Sequence, residues 1–226
     1  MDTATHAAGT RERLLQVASE LFANKGYAAT SISEITRLAG ANKASVNYHF
    51  HSKENLYREA WGHAHDRLSE RFPEDGGVGG DRPAEERLRG RIRGALQRAM
   101  LGGTTEFRIM RNEMANPTGL LRQIVDVAIR PLREKIQVTL GELLGPRATS
   151  VDIELCEVCV VSPWIHVCHR QVDQCEGLVP VFHEDVLEEM VEHFTAYALA
   201  GIRQIRRQIE QSGGEERALT RDSGDE

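Results

Sequence analysis

Apolar positions recur at helical spacing along almost the whole chain. Between Thr10 and Gly26, the residues Leu14, Leu15, Val17, Ala18, Leu21 and Phe22 mark one face of a first helix. Ile32, Ile35, Leu38 and Ala39 give a short second helix a buried stripe. Ser31 stands as its N-cap, and Glu34 three residues on completes a capping box. Gly40 closes that helix, because a residue tolerant of positive φ ends a helix sharply. Asn42 is a good N-cap for a third helix from Lys43, which keeps Val46 and Phe50 for the core and turns Lys43, Ala44, Ser45, Asn47 and Tyr48 outward. Ser52 caps a fourth helix running to about Phe72, with Leu56, Tyr57, Ala60, Trp61, Ala64 and Leu68 as its apolar stripe.

Pro73 to Pro83, PEDGGVGGDRP, reads as a flexible connection. Its GGVGG has no strand before it and no Lys-Ser/Thr after it, so it is no phosphate loop. A fifth helix follows from Ala84 to about Leu101, and Gly102-Gly103 stops it. A sixth starts at Thr104 or Thr105 and ends at Asn116-Pro117. Pro117 then suits the first position of a seventh, which runs to about Leu144 and is expected to kink at Pro131. Ser150 caps an eighth helix, VDIELCEVCVVSPWIHVCHRQV, apolar nearly all round and therefore in need of cover on both sides. A ninth runs from about His183 to Gln211. No strand pattern and no internal repeat is present.

The expectation is an all-α chain of about nine helices in two domains. Residues 10–70 form a small three-helix unit with its connecting fourth helix, and residues 83–211 form a larger helical domain. The polar tails at 1–9 and 212–226 are expected to be disordered.

The second and third helices, joined by a three-residue turn with a glycine, have the form that seats a polar-faced helix in the major groove. The formal net charge of -6 does not attract nucleic acid as a whole. It is unevenly spread: residues 1–72 carry nine Lys/Arg against eight Asp/Glu, and the acidic excess lies beyond them. Affinity for DNA then has to come from a local cationic face on a near-neutral unit. No apolar leader and no run near the ~18 apolar residues of a membrane span is present, so a soluble, cytoplasmic protein with no membrane partner is expected.

RLLQVASELFANKGYAATSISEITRLAG and NKASVNYHFHSKENLYREA resemble the N-terminal domain of the TetR family of bacterial transcriptional regulators. The agreement covers residues 10 to 60 in detail: the amphipathic helix before the motif, the Gly26-Tyr27 turn, the YHF tripeptide and the Ser52-Lys53-Glu54 helix start. More loosely, FRIMRNEMANPTGLL and the helices after it resemble a subgroup typified by CecR. The resemblance implies a ligand-responsive regulator, chiefly a repressor, that reads a near-palindromic operator as a dimer. It implies no cofactor and no enzymatic activity.

Thr30 and Ser31 can offer hydroxyl and backbone N–H donors to a phosphate. Lys43 reaches a guanine edge or a phosphate, Ala44 a thymine methyl, and Ser45 bonds either way. Asn47 has the donor–acceptor pair that suits adenine. By resemblance, Tyr48, His49 and Lys53 support phosphate contacts. Asn47 departs from the aromatic or aliphatic residue common at that position in the family. Each position also has a plainer reading: Ser31 as a cap, His49 as a surface histidine.

By resemblance again, the second domain holds a ligand cavity and the dimer contact. Trp61, His65, Phe107, Met110, Arg111, Met114 and Trp164 are the candidate lining of a cavity for a small apolar effector, with Arg111 and His65 to orient a polar group. Phe107, Met110 and Trp164 read equally as plain core. The eighth and ninth helices carry more apolar surface than one core needs, so a four-helix homodimer contact is expected there. Cys156, Cys159, His166 and His169 fall on one helix and could build a thiol or metal sensor. Structural zinc takes its close cysteine pair from a turn, however, so these cysteines, with Cys168 and Cys175, read as reduced thiols and no metal is assigned. A sensor or interaction protein of this fold without operator binding is the other alternative. No Gly-x-Ser-x-Gly, dinucleotide or zinc-protease motif is present.

Overall fold

A computed structural model of the chain describes residues 3–101, 105–122, 126, 129–173 and 182–222, with side chains at 9–101, 105–122, 126, 129–167 and 182–211. Among the described residues there are nine α-helices and no strand. They are α1 (Thr3–Ala29), α2 (Ile32–Leu38), α3 (Lys43–Phe50), α4 (Lys53–Arg71), α5 (Ala84–Leu101), α6 (Thr105–Ala115), α7 (Arg130–Leu144), α8 (Ser150–Asp173) and α9 (Leu187–Asp222). A 3₁₀ turn over Glu184–Val186 leads into α9.

The chain folds into two units. The first holds α1 to α4 and α6; the second holds α5, α7, α8 and α9.

In the first unit, α1 buries Leu14, Leu15, Ala18 and Phe22 along one face. Gly26 breaks its helical course at φ 76, ψ 174, as its glycine permits. Ser31 Oγ accepts the Glu34 N–H at 3.1 Å and starts α2. The other half of the expected capping box does not form, because the Glu34 carboxylate pairs with Lys25 at 2.5 Å. Gly40, at φ 61, ends α2, and the Ala41 N–H reaches back to the Thr36 carbonyl at 2.9 Å.

Leu38 does not share the buried stripe of α2; it is 50% exposed. It lies six residues from Ile32, which on a helix of 3.6 residues per turn is about 120° away. Thr36 is buried in that face instead. Phe22, Tyr27 and Tyr57 cluster at the centre of the unit, with ring centroids 4.8 Å apart for Phe22–Tyr57 and 5.1 Å for Tyr27–Tyr57. Ile109 from α6 and Leu121 from the turn after it belong to the same core.

In the second unit α5 packs along α9, joined at the rim by Arg89–Glu192, Arg93–Glu188 and Arg203–Glu85. α7 meets α8 through Glu157, which accepts from Arg133 at 2.7 Å and from Gln137 at 2.6 Å. Two donors satisfy a carboxylate that is otherwise buried.

The Pro73–Pro83 segment is not a loose tether. Its backbone lies directly on Gly90 and Gly94 of α5: a Cβ on Gly90 would overlap the Asp75 carbonyl and Val78, and one on Gly94 would stand 2.5 Å from the Pro73 carbonyl. Gly76, at φ 62, makes the reciprocal approach to Gly90. At Gly76 the glycine serves a close contact between two backbones.

Nor does Pro117 open a helix. Residues 117–121 form a turn, held by Glu113, whose Oε1 accepts the Thr118 and Gly119 N–H groups at 2.9 and 3.0 Å. The described α7 begins at Arg130, but Asp126 and Ile129 before it are π-helical, so Pro131 is preceded by helical residues.

Candidate nucleic-acid interface and effector site

α3 is set by its cap. Asn42 Oδ1 accepts the Ser45 N–H at 2.8 Å and the Ser45 hydroxyl at 3.0 Å. Val46 and Phe50 anchor the helix in the core, which leaves Lys43, Ala44, Asn47 and Tyr48 exposed on the other side. Tyr48 is 75% exposed. His49 is half-buried, 4.9 Å from the Tyr48 ring. Ser45 is half-buried with its proton committed to Asn42, so towards a base it can only accept. Ser31 is exposed beside this face as well as capping α2.

Thr30 stands differently from its expected role. Its side chain is 1% exposed, and its hydroxyl donates to the Gly26 carbonyl at 2.8 Å. It supports the break in α1 and cannot offer that hydroxyl to a phosphate.

Lys53 is also engaged. Its ammonium lies 4.1 Å from the centre of the Tyr27 ring, and burial moves its pKa down from the ordinary lysine value. The Tyr27 hydroxyl donates to Glu54 at 2.9 Å. Tyr27 thus fixes the start of α4 against the end of α1. Burial first, and the Glu54 hydrogen bond next, push the Tyr27 pKa up to about 12.

His51 was not singled out by sequence reasoning. It follows α3 at φ 65, the one non-glycine residue with positive φ among those described, and is exposed. Histidine is among the residues that tolerate this region. A histidine between the end of one helix and the N-cap serine of the next was the available signal.

Of the seven effector candidates, Trp61, His65 and Met110 share one neighbourhood in the first unit. Trp61 is 1% exposed in the first unit's core, stacked on His65 at 4.9 Å with the rings 12° from parallel. His65 Nδ1 lies 2.7 Å from Glu106, which fixes it to α6. Met110 packs on the same core, while Met114 is 71% exposed. Phe107 and Arg111 are half-buried on α6, and Trp164 is half-buried on α8 in the other unit. The four candidates on α6 were split by helix rotation, which periodicity within α6 does not resolve.

None of the seven lines either of two clefts found among the described residues. One, of about 230 Å³, lies in the second unit among Ile92, Cys159, Val160, Pro163, Phe194 and Tyr197. The other, of about 280 Å³ and polar, lies in the first unit.

Of the sensor cluster, Cys156 is buried, with its thiol pKa raised by burial, while Cys159 and His166 are exposed. The side chains of His169, Cys168 and Cys175 lie outside the described residues. Among those described, no three His, Cys, Asp or Glu side chains gather as a metal site would need. No described helix is long and apolar enough to cross a membrane.

Residues 84–202 match the family model of the C-terminal domain of the HTH-type transcriptional dual regulator CecR, and residues 14–60 match the bacterial regulatory proteins of the tetR family. The HTH-type transcriptional regulator AcrR of Shigella flexneri is 37% identical over 59 residues, 26% of this chain and 27% of that protein. The HTH-type transcriptional repressor KstR2 of Mycolicibacterium smegmatis is 40% identical over 58 residues, 26% of this chain and 28% of that one. These matches thus span little more than a quarter of the relatives' length. In fold, the chain is similar to the crystal structure of AibR in complex with isovaleryl coenzyme A and operator DNA. That likeness has a TM-score of 0.61 at 19% identity, covering 81% of this chain and 97% of the other.

Proposed function

The chain belongs to the TetR family of transcriptional regulators, with a C-terminal domain of the CecR type, and on that premise we propose that it represses transcription by binding an operator as a homodimer and releasing it when a small apolar effector binds. The observation that carries DNA binding is the exposed face of α3. Lys43, Ala44, Asn47 and Tyr48 point away from a helix that Val46, Phe50 and the Asn42 cap hold rigidly. Asn47 supplies the groups that read a base edge, Lys43 a cation for a guanine edge or a phosphate, and Tyr48, Ser31 and His49 the groups that fix register on phosphate. Repression is supported by the name of one relative, the repressor KstR2.

Dimerisation is supported by a stripe on α8. Val151, Leu155, Val158 and Ile165 recur at helical spacing and are exposed in the single chain, as is Tyr197 on α9. A second copy meeting the same faces closes a two-fold contact, and two half-sites give the affinity that one near-neutral unit lacks. The apolar cleft at Ile92, Val160, Pro163 and Phe194 supports an effector of the same character. α4 continues by chain into the loop docked on Gly90 and Gly94, so a shift of α5 has a covalent route to α4. The effector must prefer the released state by a few kcal/mol to act.

Selection of a preferred duplex from a random pool, followed by fluorescence polarisation, tests the reading. Lys43→Ala with Asn47→Ala is expected to weaken the selected site at least about tenfold. Absence of any sequence preference in the native chain at moderate salt would instead favour a protein of this fold that senses without binding an operator.

A further inference from the structure

The polar cleft of the first unit has no part in the function proposed above. It is bounded by α1, α4 and α6, the helices that make up that unit together with α2 and α3. From α4 come His63, Arg67 and Arg71, spaced four apart and so stacked on one face. From α1 come Gln16, Ser19 and Glu20, and from the first turn of α6 come Thr105 and Glu106.

The charges in this cleft are not all neutralised. Glu106 is held by His65 at 2.7 Å. Arg67 has no hydrogen bond or ion pair among the described residues, and Arg71 only lies over the Phe72 ring at 5.0 Å. Glu20 is the one acidic group of the lining without a partner among them. His63 Nε2 is buried and 3.4 Å from Glu12, without the geometry of a hydrogen bond. Two uncommitted guanidinium groups thus stand in the lining with one uncommitted carboxylate, Glu20, and the His65-bound Glu106.

The geometry points to a second ligand site here, for a small anion carrying a phosphate or carboxylate group. Arg67 and Arg71 grip the anion as planar forks, with Gln16 and Thr105 as neutral partners. The volume, about 280 Å³, suits a compact metabolite and not a chain-like one. The site is separate from the DNA face. Arg67 is 14 residues along α4 from Lys53, roughly 21 Å at 1.5 Å per residue. An anion bound across α1, α4 and α6 braces the unit that carries α3, so its occupancy is read out as a change in operator affinity.

Calorimetric titration of the full chain with inorganic phosphate, at ionic strength held constant with sodium chloride, tests this. Saturable binding is expected, weakened at least about tenfold in the Arg67→Ala, Arg71→Ala double variant, since each charge-assisted contact is strong. Glu20→Gln should tighten binding. Lys43→Ala, which removes a cation from the DNA face, should leave the titration as it is. A parallel titration with malonate separates the two head groups: whichever binds names the class. Equal binding by the native chain and the double variant, or heat from neither anion, overturns the site. Both arginines are on the surface, so the double variant folds, which its unchanged circular dichroism verifies.

Discussion

The amide of Asn112, on α6, donates to the main-chain carbonyl of Phe22, on α1, at 3.1 Å, and to that of Ala23 at 2.9 Å. These carbonyls lie one turn before Gly26, where α1 leaves helical geometry. Carbonyls in the last turn before a break are short of intrahelical donors, and a side chain from another helix provides them. α6 makes a second tie nearby, from the Tyr57 hydroxyl to Glu113 at 3.1 Å. Asn112→Ala is expected to lower stability by about 1–2 kcal/mol, and Asn112→Asp by more, since it sets a carboxylate against two carbonyl oxygens. Urea denaturation measures both, and equal midpoints for the three proteins would remove the tie from the account.

Thr30 and Lys43 separate support from contact. Thr30→Ala removes a buried hydrogen bond to Gly26 and should lower the melting temperature while leaving the salt dependence of DNA binding unchanged. Lys43→Ala should leave the melting temperature alone and reduce the salt slope by about one. Polarisation titrations over a range of salt concentrations distinguish the two.

Glycines of the same helical type should respond in opposite directions. Gly62 in α4 has nothing near the place of a Cβ, so Gly62→Ala is expected to stabilise by about 0.5–1 kcal/mol. Gly90→Ala gains the same propensity but drives a methyl into the Asp75 carbonyl, and should destabilise by about 1–3 kcal/mol. Thermal melts of the two variants give the signs.

Tyr27 makes an alkaline signature. Its pKa is raised from 10 to about 12 in the folded chain, by burial and then by Glu54. A folded-state pKa above the unfolded one means the folded chain keeps the proton longer. The stabilisation is whole below pH 10 and is lost as pH climbs through about 12. The stability gap between the native chain and Tyr27→Phe should therefore be constant at neutral pH and shrink above pH 10, followed by denaturation at each pH. A gap that widens there would contradict the assignment.

Leu155→Glu with Val158→Glu places charges on the exposed stripe of α8. If a second copy covers that stripe, sedimentation should show a dimer for the native chain and a monomer for the variant. Operator affinity should fall with it, because half-site binding loses its partner. A monomeric native chain would refute the dimer directly.

The helices, their caps at Ser31, Asn42 and Ser52, and the outward face of α3 were legible in the sequence. Each depends on residues within one or two turns, and periodicity and cap chemistry are local signals. What only the tertiary structure decided were the contacts between residues distant along the chain. Thr30 looked like a phosphate donor until the Gly26 carbonyl claimed its hydroxyl. Gly76 of the Pro73 loop looked like slack until α5 was seen to carry Gly90 opposite it. Asn112 and the polar cleft gave no signal at all, since a polar residue on an amphipathic helix reads the same whether it faces water or another helix's carbonyls. A one-dimensional pattern states which side chains share a face, but the partner of that face is set by packing between helices, where the energies of many distant contacts are compared at once.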